Sequence, residues 1–179
     1  AVLFIGTFDY RKGAVDFPKI MQRVWSDIPG CRLILAGTRG MIQTAEGVLR
    51  FFPRRFRKNI EVIPGFPRDA LPAICARARV GVFPSYLEGF GFAVIEMLAA
   101  GLPVMAYRVP GPSSILPPEW MAEAGDTDRL AGLLAAELSR TPTAARAEAA
   151  RSIARKYRWE TIAADLASAY QHAWDALQR

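Results

Sequence analysis

Two glutamates, Glu88 and Glu96, are the side chains of this sequence best suited to holding a ligand. Carboxylates accept hydrogen bonds from hydroxyl groups, so two of them at one site suit a polyhydroxylated molecule. A pair of acidic residues taken from an arbitrary sequence is most often a solvated surface. Here a strand, a glycine loop and a helix follow one another, with Glu88 in the loop and Glu96 in the helix. That context favours a binding site.

The turn between the glutamates is predicted to join a buried strand, Val80–Phe83, to a helix that begins near Phe92. Two glycines in this turn permit tight backbone bends. The start of such a helix offers free N–H groups and the positive end of the helix dipole, which suits a pyrophosphate. Because helical side chains lean toward the helix N-terminus, Glu96 is expected to face the same site as Glu88.

A second glycine loop follows the apolar segment Val2–Ile5 and runs from Gly6 to Gly13, with Arg11 and Lys12 inside it. In an open parallel sheet, ligands bind beyond the carboxyl ends of the strands. A glycine there lets the backbone approach a phosphate, and a lysine supplies a point charge. The loop matches neither the GxGxxG dinucleotide pattern nor a P-loop. A glycine turn with two solvated cations explains it equally well.

Short apolar segments alternate with helix-length segments along the chain. Several of the apolar segments are continuous, as in strands that are covered on both faces. The predicted strands are Val2–Ile5, Arg32–Ala36, Glu61–Ile63, Val80–Phe83 and Val104–Tyr107. The predicted helices are Val15–Ile28, Arg68–Arg79, Phe92–Ala100, Arg129–Arg140, Ala144–Lys156 and Trp159–Gln178. This alternation predicts a Rossmann-like, three-layer α/β/α domain with a mainly parallel sheet.

Length and composition fit a single domain: the chain has 179 residues, of which 51% are hydrophobic. The formal net charge of +6 suits an anionic ligand, a nucleic acid or an anionic membrane and does not distinguish them. Cys31 and Cys75 lack metal-site spacing, and His172 is the sole histidine, so neither zinc nor a disulfide framework is expected. Both cysteines are predicted to be free buried thiols in a reducing compartment.

The segment Glu88-Gly89-Phe90-Gly91, with Glu96 and Ala99–Val104, resembles the E-x7-E signature of the family 4 retaining glycosyltransferases, which have the GT-B fold. That family has two Rossmann-like domains and holds the donor mainly in the carboxyl-terminal one. The resemblance covers nearly the whole chain, from Lys12-Gly13 to Trp159 and the last helix. It implies that residues 1–179 are one nucleotide-sugar donor-binding domain, the C-terminal half of a GT-B fold.

The beginning of the chain fits this implication, because it opens directly on a strand without a start methionine. We therefore expect a fragment of a longer two-domain chain, whose own N-terminal acceptor domain is the partner. Residues 159–179 are expected to form the terminal helix that links the two domains. Separated from its partner domain, the chain is expected to bind donor weakly and to turn over little.

The resemblance also implies a role for each matching residue. Glu88 is expected to contact hydroxyls of the transferred sugar, and Lys12 to neutralise the leaving diphosphate; these two are the expected catalytic residues. Glu96 is expected to bind the ribose hydroxyls. The other expected donor-binding residues line the sugar and phosphate pocket or flank the base: Gly6, Thr7, Arg11, Phe66, Gly89, Phe90, Gly91, Phe92 and Ala93.

Two positions leave the site open to more than one interpretation. Thr7 stands where the family usually has arginine; its hydroxyl can donate to a phosphate but brings no charge, and Arg11 is a possible substitute. In the loop Pro64–Arg68, Phe66 can stack on a base or Arg68 can donate a hydrogen bond to it. A proline-bounded turn before a helix explains that loop equally well.

The expected reaction is transfer of a hexosyl group from a nucleoside-diphosphate sugar to an acceptor hydroxyl, with retention at the anomeric carbon. Lys12 and the helix start at Phe92 are expected to replace a metal ion, so no metal or other cofactor is expected. The alternatives are a non-catalytic nucleotide-sugar-binding or scaffold module, in which Thr7 marks a degenerate site, and a nucleotide-sugar epimerase of related fold. A nucleic-acid-binding protein is a distant fourth interpretation.

The stretch Arg50–Lys58 packs five cations and three aromatic residues into nine positions. It suits an anionic membrane surface or a nucleic acid. The favoured interpretation is a solvated helix end whose phenylalanines pack inward. No apolar run reaches the ~18 residues that span a bilayer and no export signal is visible. The expected location is cytoplasmic, with a peripheral position at the inner membrane face as the alternative.

Overall fold

The computed structural model describes residues 1–178, within which six parallel strands form one sheet. The strand order is β3-β2-β1-β4-β5-β6. The strands are β1 Val2–Ile5, β2 Leu33–Ala36, β3 Ile60–Ile63, β4 Val80–Phe83, β5 Val104–Tyr107 and β6 Met121–Ala122. Each neighbouring pair is parallel, so the carboxyl ends of all six strands lie along one edge of the sheet.

Eight α-helices connect and cover the strands of the described chain. They are α1 Phe17–Asp27, α2 Ala45–Leu49, α3 Leu71–Cys75, α4 Phe92–Ala99, α5 Pro110–Ile115, α6 Thr127–Ser139, α7 Ala144–Arg155 and α8 Trp159–Leu177. Helix α1 packs against α6, and α4 packs against α7. The predicted Rossmann-like α/β/α arrangement with a parallel sheet is confirmed.

The core follows directly from the apolar pattern of the sequence. Every residue of β1, β2, β4 and β5 is buried, whereas the edge strand β3 is half-buried along its whole length. Helix α1 buries the residues that share one face at helical spacing: Phe17, Ile20, Met21, Val24 and Trp25. Burial of each such side chain contributes about 1.5–3 kcal/mol.

The close approach of α4 to the sheet depends on a glycine in β4. A Cβ added to Gly81 would lie 2.6 Å from the sulfur of Met97, which is on α4. The helix therefore lies directly on the strand that precedes it. This packing sets the position of the loop that joins them.

One predicted helix is wrong in extent. Residues Arg68–Ala70 form a 3-10 turn, and the α-helix that follows covers only Leu71–Cys75. The chain cannot stay helical to Arg79, because the Arg79 amide donates to the carbonyl of Ala1 and the next residue, Val80, begins β4. The other predicted elements are confirmed to within two residues at each end, and the structure adds α2, α5 and β6.

The basic and aromatic stretch Arg50–Lys58 packs its aromatic residues inward, as favoured from the sequence. Phe52 is fully buried, and Phe56 stacks on Trp25 with ring centroids 4.7 Å apart. Arg54–Asn59 forms a 3-10 helix, and Arg54, Arg55 and Lys58 are exposed. The cations therefore face solvent while the rings belong to the core.

Cys31 and Cys75 are free and buried, as predicted. Within residues 1–178, none of the helices combines the length and apolar character needed to cross a bilayer. Helix α8 differs from the others because all of its described residues are exposed. Its apolar side chains recur every three or four positions: Trp159, Ile162, Leu166, Tyr170, Trp174 and Leu177.

Candidate active site

The two predicted loops lie together at the carboxyl edge of the sheet. One follows β1 and the other follows β4, and these strands are neighbours. The chain runs from β1 outward to β3 and then returns to the other side of β1 at β4, so the strand order reverses at this point. Such a switch point opens a crevice for ligands in open α/β sheets.

An ion pair joins the two loops at this switch point. The Lys12 ammonium contacts the carboxylate of Glu88, and the two side chains are only 13% and 16% exposed. The Lys12 nitrogen also lies 5.0 Å from the ring centroid of Phe83, the last residue of β4. The structure therefore brings together the two residues that were predicted to be catalytic.

The backbone of the first loop is held by a residue that the sequence analysis did not single out, Asp9. Its Oδ1 accepts from the Lys12 amide at 3.0 Å, and its Oδ2 accepts from the Thr7 hydroxyl at 2.7 Å. Asp9 is thus the N-cap of the 3-10 turn Tyr10–Lys12. The signal was present in the sequence, because an aspartate three positions before Lys12 has the spacing of a cap.

Contact between the two loops requires glycine at position 13. Gly13 has φ of 79°, in the left-handed region, and an added Cβ would lie 2.2 Å from the Pro84 carbonyl oxygen. The next contacts come from Arg11: its carbonyl accepts from the Tyr86 amide at 2.8 Å, and its side chain reaches the Leu87 carbonyl at 3.4 Å. Arg11 thus binds the second loop, while Thr7 is bound to Asp9.

The second loop is supported from behind by α5. The Gly111 amide donates to the Glu88 carbonyl at 3.2 Å, and an added Cβ on Gly111 would lie 2.6 Å from the Phe90 carbonyl oxygen. The ring of Phe90 also packs against Tyr157, with centroids 5.5 Å apart. Gly111 and Tyr157 are distant in sequence, and no local pattern could have identified them.

The start of α4 lies beside Glu88, because a Cβ added to Gly91 would lie 3.7 Å from the Glu88 Cγ. Gly91 is its N-cap, with φ of 98°, and the first amide of the helix to donate within the turn is that of Val94, to the Gly91 carbonyl at 2.9 Å. The amides of Phe92 and Ala93 precede it and are available to a ligand. The Phe92 ring is 70% exposed. This arrangement can bind an anionic group beside the ammonium of Lys12.

The match to a protein family agrees with this geometry. The model of the family described as "Glycosyl transferases group 1" matches residues 1–139. The chain belongs to the group 1 glycosyltransferases.

Several named relatives of this glycosyltransferase chain are known. It is 30% identical over 184 residues to a D-inositol 3-phosphate glycosyltransferase of Segniliparus rotundus, covering 96% of this chain and 40% of that protein. It is 29% identical over 177 residues to a glycogen synthase of Mycobacterium tuberculosis, covering 94% and 42%. The chain thus spans about two fifths of the length of these curated relatives.

Solved structures share the fold. A sucrose-phosphate synthase from Thermosynechococcus elongatus superposes with a TM-score of 0.77 at 26% identity, over 98% of this chain and 45% of that one. An Anabaena protein solved in complex with UDP and glucose has a TM-score of 0.74 at 19% identity, over 96% and 47%. The first likeness agrees with the family assignment, and the second supports the fold.

The second glutamate of the glycosyltransferase chain lines a pocket whose lining includes neither Lys12 nor Glu88, so the prediction that Glu88 and Glu96 face one site is not confirmed. Glu96 lines a shallow pocket of about 350 Å³ between α3 and α4, together with Leu71, Pro72 and Cys75. Partial burial raises the pKa of the Glu96 carboxyl, and the positive charge of Arg68 partly offsets this shift. Burial, and next the charge of Glu96, raise the pKa of the Cys75 thiol to about 11.

The remaining predicted residues flank this pocket or the loops. Phe66 packs toward the loop after β2, where a Cβ added to Gly37 would lie 3.4 Å from its ring. Arg68 is exposed and acts electrostatically on Glu96. The structure thus brings Lys12 to Glu88, and Arg68 to Glu96.

Proposed function

We propose that this chain is the nucleotide-sugar-binding domain, and the carboxyl-terminal half, of a retaining glycosyltransferase of the family 4 type with the GT-B fold. The reaction is transfer of a hexosyl group from a nucleoside-diphosphate sugar to an acceptor hydroxyl. One observation carries the proposal: the Lys12–Glu88 ion pair lies at the β1–β4 switch point, beside the start of α4. The family membership and the named relatives support it.

The positive groups of the crevice act on the departing diphosphate. Lys12 and the amides of Phe92 and Ala93 stabilise the charge that develops on it, without any metal ion. In the free protein, the Lys12 ammonium is paired with the Glu88 carboxylate. When donor binds, the Lys12 ammonium pairs with the diphosphate instead. Glu88 then accepts hydrogen bonds from the sugar hydroxyls.

The nucleoside lies on the α3 side of the crevice. Glu96 binds the ribose hydroxyls as a hydrogen-bond acceptor, and the Arg68 charge partly offsets the rise in its pKa that partial burial causes. Phe66 and Arg68 flank the base. Backbone groups of Gly6, Gly89, Phe90 and Gly91 line the sugar and phosphate positions, and the Thr7 hydroxyl supports the loop through Asp9.

A second domain completes the enzyme. The relatives are more than twice as long as the segment they share with this chain. The apolar stripe of α8 is exposed along its whole length, with Trp159 at 81%. We propose that this stripe packs against the N-terminal acceptor domain, since a large exposed apolar stripe marks a contact surface.

As a second proposal, the exposed cations of the stretch Arg50–Lys58 give the protein a weak, peripheral contact with anionic lipid at the inner membrane face. Phe52 and Phe56 belong to the core and cannot insert into a bilayer. The contact is therefore electrostatic, through Arg54, Arg55 and Lys58, and salt disrupts it. Liposome sedimentation at low and high salt tests this, and salt-resistant binding contradicts it.

The test of the main proposal is turnover by the full-length protein. Uridine-, guanosine- and adenosine-diphosphate sugars are supplied with and without a panel of acceptor alcohols, and products are followed by proton NMR. The proposal expects an acceptor-dependent product with the anomeric configuration of the donor, undiminished by EDTA. An inverted product contradicts retention, an altered sugar formed without acceptor indicates an epimerase, and donor binding without turnover indicates a non-catalytic module.

A further inference from the structure

A buried carboxylate that the proposed chemistry does not use, Asp16, lies beside the two site loops. Only 6% of its surface is exposed. Its Oδ2 accepts a hydrogen bond from the Tyr86 hydroxyl at 2.6 Å and another from the Tyr107 hydroxyl at 2.8 Å. Burying a carboxylate is costly unless its oxygens are hydrogen-bonded. The two phenols therefore stabilise Asp16 in this position.

The three residues come from three separate segments of the chain, which lie at the carboxyl edge of the sheet. Asp16 follows the loop of Lys12 and is the N-cap of α1. Tyr86 lies two positions before Glu88, in the loop after β4. Tyr107 is the last residue of β5. The cluster therefore ties the chain after β1 to the chain after β4, next to the Lys12–Glu88 pair.

Tyr107 is fully buried and Tyr86 is 42% exposed, and the hydrogen bonds to Asp16 restrain both hydroxyls. Their rings pack edge to face, with centroids 5.4 Å apart. The Tyr86 amide donates to the Arg11 carbonyl in the first loop, and its hydroxyl donates to Asp16, which follows that loop. Burial, together with the hydrogen bond to Asp16, raises the pKa of Tyr86 to about 12. Its hydroxyl thus stays protonated at neutral pH and continues to donate.

We infer that Asp16, Tyr86 and Tyr107 are positioning residues, which hold the Lys12 loop against the Glu88 loop before donor binds. The inference rests on the proposed function, because it assigns the alignment of these two loops a part in sugar transfer. Loops that are fixed in advance keep Lys12 and Glu88 in place, so that only their contact with each other is exchanged for contacts with the donor. The loss of either phenol hydroxyl frees the loops to separate and lowers the rate of transfer.

Hydrogen exchange of the full-length protein tests the mechanical part of the inference. Tyr107→Phe removes one donor to Asp16 and retains the shape of the core. We expect exchange of the Tyr86 amide to quicken about tenfold, while amides of β2 keep their rates. A matched control is Glu137→Gln: Glu137 is also 6% exposed, and it is bound by Arg146 at the far end of α6. This variant should leave the Tyr86 amide unchanged.

Kinetics in two backgrounds tests the catalytic part. Tyr107→Phe should lower kcat about tenfold in the wild-type background but less than twofold in a Lys12→Ala background, because it acts through Lys12. Glu137→Gln should have the same small effect in both. Equal losses of kcat in both backgrounds, or an unchanged kcat in an active protein, overturn the positioning role but leave the proposed function standing. A wild-type protein that transfers no sugar overturns the proposed function itself.

Discussion

The two glutamates of this glycosyltransferase chain occupy opposite environments. Glu88 is largely buried, and the ammonium of Lys12 compensates its charge. Glu96 lies on the open face of α4 against the apolar residues of α3, and its pKa is raised because partial burial outweighs the attraction of Arg68. The fold thus stabilises one carboxylate and disfavours the other. A charge that is costly in the free protein is ready to accept hydrogen bonds from a ligand.

The largest effect on activity is expected from the loss of Lys12, the partner of Glu88. Lys12→Ala removes the charge that is proposed to stabilise the leaving diphosphate, and kcat/KM for sugar transfer should fall about 100- to 1000-fold. Lys19→Ala, an exposed lysine of α1, is the control and should retain wild-type kinetics. A loss smaller than threefold in Lys12→Ala would show that the diphosphate leaves without its help.

Gly13→Ala should separate the two loops on the Glu88 side and leave the Glu96 pocket intact. The alanine requires an unfavourable φ of 79°, and its Cβ would collide with the Pro84 carbonyl. We expect a loss of about 2–4 kcal/mol in the free energy of unfolding, measured in urea. Gly30→Ala is the control, because nothing lies within 4 Å of a Cβ there. Equal losses in the two variants contradict the contact between the loops.

Neutralising each glutamate should change stability in opposite directions. Glu88→Gln leaves Lys12 without its partner and should lower the free energy of unfolding by about 1–3 kcal/mol at pH 7. The folded-state pKa of Glu96 lies above its ordinary value, so wild-type stability falls as pH rises from that ordinary value to the raised one. Glu96→Gln removes this loss and should raise Tm slightly at pH 7.

The pH dependence of Tm provides the control for Glu96→Gln. At about pH 3.5, below the ordinary pKa of a glutamate, the Tm of Glu96→Gln should match that of the wild-type protein. Thermal melts at pH 3.5 and pH 7 measure both differences. A lower Tm for Glu96→Gln at pH 7 contradicts the unfavourable environment of that carboxylate.

The smallest effect is expected from Thr7→Arg, which introduces the residue usual in the family. The guanidinium adds a second positive charge to the diphosphate site, so affinity for a nucleoside diphosphate should rise about threefold to tenfold. The gain is limited because the variant also breaks the hydrogen bond between Thr7 and Asp9. Calorimetry measures the change, and weaker binding would show that the Asp9 contact matters more than the charge.

Much of the fold could be predicted from the sequence because its core strands are continuous apolar runs. Strands β1, β4 and β5 were placed at their observed bounds. The elements that were missed are short: β6 has two residues, and α2 and α5 have five and six. Such lengths give no periodic signal, and the packing of the whole domain determines them.

The candidate site also has a part that could be predicted from the sequence and a part that could not. Lys12 and Glu88 could be found because each belongs to a local pattern of glycine and charge after a buried strand. Their contact with each other, and the support from Gly111, arise between segments 76 and 23 positions apart and need the folded sheet. The ion pair of the free protein was not predicted, because both residues were assigned to ligand rather than to each other.

Binding of nucleoside and nucleoside diphosphate to the full-length protein tests the central claim most directly. Calorimetry with both ligands, for the base that supports turnover, is compared between wild-type protein and Lys12→Ala. The account predicts that Lys12→Ala weakens the diphosphate about 10- to 100-fold and leaves the nucleoside unchanged, since the lost contact is with phosphate. Equal weakening of both ligands, or none, would contradict a diphosphate site at the Lys12–Glu88 pair.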